Sequence, residues 1–468
     1  MTVNAKLEQF KKDISSKRVA VLGIGISNTP LIRYLAATGT RITAFDRSEP
    51  GEIGQSLEAF KGLDVDFSLG QEYLSNLKGF DVIFKTPMVR FDIPELIAEK
   101  ERGAVITSEM EVFCELCPAR IIAVTGSDGK TTTTTLIHKM LVEQGYNCWL
   151  GGNIGMPLLD RLDVIKETDM VVLELSSFQL HTMKNRLNMA VVTNMSPNHL
   201  DVHSSMEEYI DAKKNIFRFQ NTEDTLILNY DNEIARSFGA EAAGRVVYFS
   251  RTQPLEEGMV IEDGMLIYKK GGIKLPVASA ESILLPGVHN IENYLAAAAA
   301  VIDFVKPEAV AKITSTFRGV EHRIEHVRDI GGVSFFNDSI GSSPTRSIAS
   351  IRSFKQKVIL IAGGYDKHIT YDEMGETLIE RVKALILLGQ TAPLIEKALR
   401  DETARSGKGT DIPIINCMTL EEAVEKAFSN AEKGDIVLLS PASASFDMFK
   451  NFEERGLAFK KIVNGLKF

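Results

Sequence analysis

The sequence predicts an α/β protein of three domains. These are an N-terminal Rossmann-like parallel sheet (1-118), a central P-loop ATPase-like α/β domain (119-318) and a C-terminal Rossmann-like α/β domain (319-468). Three observations carry this. In each third, short apolar runs end at glycine or acidic turns and give way to helical periodicity. The pattern restarts after Cys117-Pro118 and again after Phe317-Arg318-Gly319. The chain's 468 residues are enough for several separate cores.

Composition narrows the function classes. A formal net charge of −9 argues against general nucleic-acid binding. Four cysteines imply no disulfide framework. Cys114 and Cys117 are two apart, but no second pair accompanies them, so they read as structural. The start has no apolar signal region, and Ala296 to Ala300 is too short to span a bilayer. The expectation is a cytoplasmic monomer with no membrane insertion and no nucleic-acid partner.

In the first domain, Arg18 to Leu22 is a strand running into the turn Gly23-Ile24-Gly25, and Pro30 to Leu35 suits a helix. Arg41 to Asp46, Asp81 to Thr86 and Ala104 to Ile106 are further strands. Gly25, Ile26, Ser27 and Asn28, with Asp46 and Arg47, lie at strand ends that could hold the diphosphate and base of a nucleotide-bearing molecule. Asn28 stands where the third glycine of a dinucleotide fingerprint belongs. A tight turn without ligand and an NAD-dependent oxidoreductase both remain open.

The central domain holds the strongest motif. Ile121 to Thr125 reads as a buried strand, and Leu136, Ile137, Met140 and Leu141 as the inner face of a helix. Between them lie Gly126, Ser127, Asp128, Gly129, Lys130, Thr131 and Thr132. The glycines let the backbone approach a phosphate, and the helix N-terminus receives its charge. Lys130 adds a mobile cation, and Thr131 a hydroxyl for Mg²⁺. The spacing is two residues shorter than the general phosphate loop. Trp149 to Gly155 reads as a glycine-rich loop carrying Asn153. Strand Met170 to Leu173 ends in Glu174, a metal candidate, with Ser176 and Gln179 following. Strand Ala190 to Asn194 leads to His199, a second candidate ligand. Tyr209 to Lys214 opens a helix on which periodicity alone makes Lys213 a surface lysine. Residues 245-285 alternate strands and turns. Asn290 and Asn293 share a helix face, either to bond a base or ribose or simply to cap and pack.

In the C-terminal domain the strands are Val333 to Asn337, Lys357 to Ala362, Val382 to Leu388 and Ile436 to Leu439, with a helix at Glu421 to Phe428. Polar residues follow the strands: Asp338-Ser339, Gly363-Gly364-Tyr365-Asp366-Lys367, and Ser440-Pro441-Ala442-Ser443-Ala444-Ser445. A helix around Asn451 to Gly456 closes the chain.

Taken together, the phosphate loop, Gly152-Asn153-Ile154-Gly155, Glu174 to Gln179, His289-Asn290, Asn337-Asp338-Ser339 and the Ser-Pro-Ala-x-Ala-Ser run resemble the Mur ligase family, over nearly the whole chain. The resemblance implies an ATP-dependent amide-forming ligase of peptidoglycan precursor synthesis. Its substrates would be UDP-N-acetylmuramoyl-L-alanine and D-glutamate, joined through an acyl phosphate. The first domain would bind the UDP part. Lys130, Thr131, Glu174 and His199 would serve ATP and Mg²⁺, with two ions. Asn290, Asn293, Arg323 and Asp338 would contact the nucleotide. Asn153, Ser176, Gln179, Ser342, Lys367, Ser445 and Phe452 would contact substrate. Lys213 matches a lysine carbamylated in the family, which would make it a metal ligand. Two departures stand out. Asp128 replaces an asparagine usual in relatives, and Ile340 replaces a lysine, with Arg346 the nearby cation that could compensate. A family member using another amino acid, the oxidoreductase and a pure binding module are the rivals.

Overall fold

The computed structural model describes residues 4–25, 28–51, 53–87, 89–196, 205–285, 287–366 and 369–467. Its strands form three sheets, each parallel for most of its width.

The first sheet contains β1 (Arg18–Leu22), β2 (Arg41–Asp46), β3 (Val65–Leu69), β4 (Val82–Lys85) and β5 (Val105–Thr107). Their order is β3-β2-β1-β4-β5, with all pairings parallel. Chain order reverses at β1 and β4, so ligand space opens beyond their carboxyl ends. β3 was not expected from the sequence. Its Val-Asp-Phe-Ser-Leu run lies at the sheet edge and is largely solvent-facing, so it lacks the apolar signature of a central strand.

The second sheet contains β6 (Arg120–Thr125), β7 (Cys148–Gly152), β8 (Met170–Glu174), β9 (Met189–Val192), β10 (Thr225–Asn229), β11 (Arg245–Ser250), β12 (Gly258–Glu262), β13 (Met265–Lys270) and β14 (Ile273–Ser279). The order is β14-β13-β12-β11-β10-β9-β6-β8-β7. Pairings are parallel from β7 across to β12, and β12, β13 and β14 finish as an antiparallel meander. β6 is buried from Ile121 to Thr125, as a strand covered on both faces must be. The expected loop at Trp149 to Gly155 is a strand as far as Gly152. The ladder to β8 takes in both of its glycines, Gly151 opposite Leu173 and Gly152, at φ of 94°, opposite Glu174. Residues 245-285 are β11 to β14 and their turns.

The third sheet contains β15 (Glu325–Ile330), β16 (Val333–Asn337), β17 (Val358–Ala362), β18 (Val382–Leu388), β19 (Ile414–Cys417) and β20 (Ile436–Leu439). The order is β15-β16-β20-β17-β18-β19, and only β15 is antiparallel to its neighbour. Apolar clusters cover both faces, one around Leu360, Leu378 and Leu399, the other around Phe335, Val424 and Phe459.

The chain divides into two compact units. One comprises residues 1–282 with 289–315, the other 283–288 with 316–468. Within the first, one apolar cluster runs from Val21, Leu31 and Phe84 through Phe113 to Leu158, Leu173 and Leu187, joining the first two sheets.

Candidate active site

The loop after β6 is held open from two sides. Gly126 has φ of 150°, and a Cβ there would run into the Thr193 hydroxyl. Gly129 has φ of 78° just before the Lys130–Gln144 helix, and a Cβ there would run into Asn293 Oδ1. The residues after β9 brace the loop. Ser127 N donates to Asn194 O (2.9 Å), Asp128 N to Asn194 Oδ1 (2.9 Å), and Thr193 Oγ1 to Asp128 O (2.6 Å). The Asp128 backbone is thus fixed, while its side chain is exposed beside a small cleft that Gly129, Phe249, His289, Glu292 and Asn293 also line.

Lys130 opens the helix, and its Nζ curls back to Gly126 O (2.9 Å) and Ser127 O (2.8 Å). Thr131 is buried, and Thr132 half-buried. Asn290 and Asn293 are also buried. Asn293 Nδ2 donates to Asn290 Oδ1 (3.1 Å), and Asn293 Oδ1 accepts from Thr133 Oγ1 (3.3 Å).

Lys213 departs from its surface expectation. It is 1 % exposed on the Met206–Arg218 helix, which Ser205 caps. Its Nζ donates to Thr125 Oγ1 (3.1 Å) and Gly126 O (2.9 Å), and lies 4.9 Å from the Tyr209 ring centroid. The neighbouring Lys214 instead reaches Glu241. Burial, reinforced by the Lys130 charge, pushes the Lys213 amine well below the ordinary lysine range. Tyr209 OH hydrogen-bonds Ser127 Oγ (3.0 Å), tying this helix to the loop.

Glu174 ends β8, opposite Val124 of β6, and is 1 % exposed. Asn153 Nδ2 donates to its Oε1 (2.8 Å), whereas the buried Oε2 has no hydrogen-bond partner among the described residues. A buried carboxylate oxygen left over beside a phosphate loop fits a hard cation held jointly with phosphate and water oxygens. No cluster of three or more His, Cys, Asp or Glu side chains poised for a metal occurs among the described residues. His199 lies outside the described residues, as do Ile26, Ser27 and Lys367. Ser176 and Gln179 form a capping box. Gln179 Oε1 accepts from Ser176 N (3.0 Å), and Gln179 N donates to Ser176 Oγ (3.3 Å).

On the first sheet, Asn28 does the holding that a third glycine cannot. It is buried and donates to Leu22 O and Gly23 O, both at 3.0 Å. Asp46 accepts from Ile24 N (2.7 Å) and Ser48 N (2.9 Å), so it shapes the turn that ends at Gly25. Arg47 is exposed.

In the second unit, Asp338 lies buried after β16. It accepts from Ser440 Oγ (2.7 Å) and Ile324 N (3.3 Å), and burial pushes its carboxyl up to about 6. Arg323 and Arg346 are exposed, and Ser342 is half-buried. Ser445 is buried, and Ser339 Oγ donates to the carbonyl of half-buried Phe452 (2.8 Å). Sequence reasoning missed Thr125, Tyr209, Asn194 and Arg455. Of these, Arg455 left a signal: it shares four-residue spacing with the buried Phe459 and Val463, so it falls on an otherwise apolar helix face.

Comparison with known proteins bears on this arrangement. Residues 124–301 match the Mur ligase middle domain, and residues 322–443 the Mur ligase glutamate ligase domain. The chain is 64% identical over 465 residues to a UDP-N-acetylmuramoylalanine–D-glutamate ligase of Acetivibrio thermocellus, covering 99% of this chain and 100% of that one. A protein of the same name from Ruminiclostridium cellulolyticum is 58% identical with the same coverage. Among solved structures, the UDP-N-acetylmuramate–alanine ligase of Thermotoga maritima superposes with a TM-score of 0.57 at 18% identity, covering 96% of this chain and 100% of that one, a likeness of fold.

Proposed function

Because the chain belongs to the Mur ligase family, we propose that it joins D-glutamate to the carboxylate of UDP-N-acetylmuramoyl-L-alanine, using ATP, in peptidoglycan precursor synthesis. The observation that carries this is full-length 64% identity to a ligase of that name.

A carboxylate is a poor acyl donor because its leaving group would be oxide. The alanyl carboxylate oxygen attacks the γ-phosphorus of ATP, the bond to ADP breaks, and an acyl phosphate forms. The D-glutamate amine then attacks the carbonyl, loses a proton, and expels phosphate. Two anions must meet in the first step, so positive charge is required where they meet. Lys130 and the N-terminus of the helix it opens supply it from this chain. On ATP binding the Lys130 amine exchanges its two carbonyl partners for phosphate oxygens.

Thr131, Glu174, His199 and Lys213 would hold Mg²⁺, as two ions, with Asn153 orienting Glu174. Mg²⁺ there supplies charge neutralisation for the phosphates. Lys213 acts as a carbamate: its neutral amine adds carbon dioxide, forming an N–C bond and releasing a proton. The depressed, buried amine supports this, because only the unprotonated form is nucleophilic.

Gly25, Ile26, Ser27, Asn28, Asp46 and Arg47 receive the UDP moiety, and Asn153, Ser176 and Gln179 the muramoyl part. Asn290, Asn293, Arg323 and Asp338 serve the nucleotide. Ser342, Lys367, Ser445 and Phe452 receive the amino acid. The functional division follows 1-118, 119-318 and 319-468. The reading includes a cytoplasmic monomer. Four free cysteines fit a reducing compartment, and no described helix is long and apolar enough to cross a membrane. Phosphate release measured against a panel of amino acids, with UDP-N-acetylmuramoyl-L-alanine and ATP present, tests the reading. D-Glutamate should be the strongly preferred acceptor. Preference for L-alanine or diaminopimelate would assign another ligase of the family, and reduction of NAD without ATP use would restore the oxidoreductase.

A further inference from the structure

Arg455 is the most buried guanidinium of the second unit, 3 % exposed at the start of the Phe452–Gly465 helix. Its Nε donates to Ser339 Oγ (3.0 Å) and its Nη2 to Ser339 O (2.8 Å). Its Nη1 donates to both Ser443 O and Ala444 O (3.1 Å each). A Cβ on Gly364 would sit 3.2 Å from Nη1, so the guanidinium also backs the turn after β17. One side chain therefore ties together the loops that follow β16, β17 and β20. In a parallel sheet these carboxyl ends are where ligands bind.

Every hydrogen-bond partner is neutral. No ion pair to Arg455 is present among the described residues, and Asp447 and Asp338 act on it only at longer range. Burial lowers the guanidinium to about 10, which still leaves it charged at neutral pH. A buried cation without a paired carboxylate is costly, because removal from water is not offset by a partner. Three-way bracing by backbone carbonyls does not need a charge of that kind, since a neutral donor would brace as well. The charge fits a site whose ligand brings the missing anion. Ile340, beside Ser339, supplies none.

We propose that Arg455 is the positioning residue of the acceptor amino-acid subsite, fixing the loops at Ser339, Gly364 and Ser443–Ala444 and giving that subsite the positive field a dianionic amino acid requires. This rests on the ligase reading above and names the residue that sets acceptor affinity. Arg455 acts through the loops and the field and does not touch the substrate.

Steady-state kinetics on full-length wild type, Arg455→Lys and Arg455→Met, with melting temperatures, test it. Arg455→Met should raise KM for D-glutamate tenfold or more while KM for ATP changes by less than threefold. Arg455→Lys keeps the charge but loses the fork, so it should recover most of the D-glutamate affinity. If Arg455→Met does not fold, Arg455→Gln, which keeps a neutral donor and removes the charge, takes its place and should show the same selective rise in the D-glutamate KM. A D-glutamate KM raised severalfold at an unchanged ATP KM supports the proposal. A lowered melting temperature with both KM values unchanged overturns it, as do equal rises in both. Absence of D-glutamate-dependent phosphate release in wild type would instead overturn the ligase reading, and the inference with it.

Discussion

The Lys213 Nζ donates to the carbonyl of Gly126 at 2.9 Å, so a buried lysine from the Met206–Arg218 helix touches the first residue of the phosphate loop. The Glu174 charge acts on the same amine, so a carbamate formed there would add a second carboxylate to the site. Lys213→Ala should therefore lose activity at least a hundredfold, about 3 kcal/mol in the barrier. Acetate, filling the vacated volume, should restore part of it. Carbon-13 bicarbonate should give an acid-labile carbamate signal in wild type that the variant lacks. Full activity of the variant without added carboxylate would return Lys213 to a purely structural role.

Lys130 Nζ donates to the same Gly126 carbonyl. Lys130→Ala should leave the melting temperature within a few degrees, because the side chain is half-buried and donates to carbonyls of its own loop. Turnover should fall roughly a hundredfold or more, about 3 kcal/mol, through loss of a cation at the transferring phosphoryl group. Rapid-quench measurement of ADP formation checks this, and an unchanged rate rejects the role.

Gly129 and Asn293 interlock. Gly129→Ala must carry a Cβ at positive φ, costing about 1 kcal/mol, and must also displace Asn293 Oδ1. ATP affinity should weaken tenfold or more by calorimetric titration, with D-glutamate KM little altered. An equal loss for both substrates would show that the loop shift spreads beyond the nucleotide.

A separate prediction concerns Glu109, away from the site. It is buried, accepts from Leu159 N (3.1 Å), and burial pushes its carboxyl up to about 7 from 4.5. The folded protein therefore holds a proton there that the unfolded chain releases above its ordinary pKa. Stability from this group is full below about pH 4.5 and is lost as pH rises through about 7. Glu109→Gln keeps an acceptor and removes the titration. The variant should be more stable than wild type at pH 8, by on the order of 2 kcal/mol, and nearly equal to it at pH 4. Parallel urea curves at both pH values test this. A wild type more stable at pH 8 would contradict it.

Much of the architecture was legible because it is local. β16, β18 and β20 have the bounds their apolar runs suggest, since each is a buried central strand between polar turns. β3 and β19 are edge strands: β3 exposes Asp66 and Phe67, and β19 is only 4 residues long with Asn416 exposed, so neither gives a long apolar run. β7 escaped because its two glycines read as loop until β8 pairs with them. The site divides the same way. The phosphate loop and Glu174 lie in motifs whose spacing states their chemistry. Burial of Lys213 depends on packing against Thr125, 88 residues earlier, and nothing in its own helix announces that contact. Arg455 likewise reaches Ser339 across 116 residues.

The central claim is that ATP activates the substrate's own carboxylate, and isotope transfer tests it most directly. UDP-N-acetylmuramoyl-L-alanine labelled with oxygen-18 in its alanyl carboxylate is turned over with ATP and D-glutamate, and the inorganic phosphate is analysed by mass spectrometry. Attack of that carboxylate on the γ-phosphorus predicts one labelled oxygen in each phosphate released, with formation of the new amide. Phosphate released without label, or label retained in full in the nucleotide-linked product, would contradict the acyl-phosphate route.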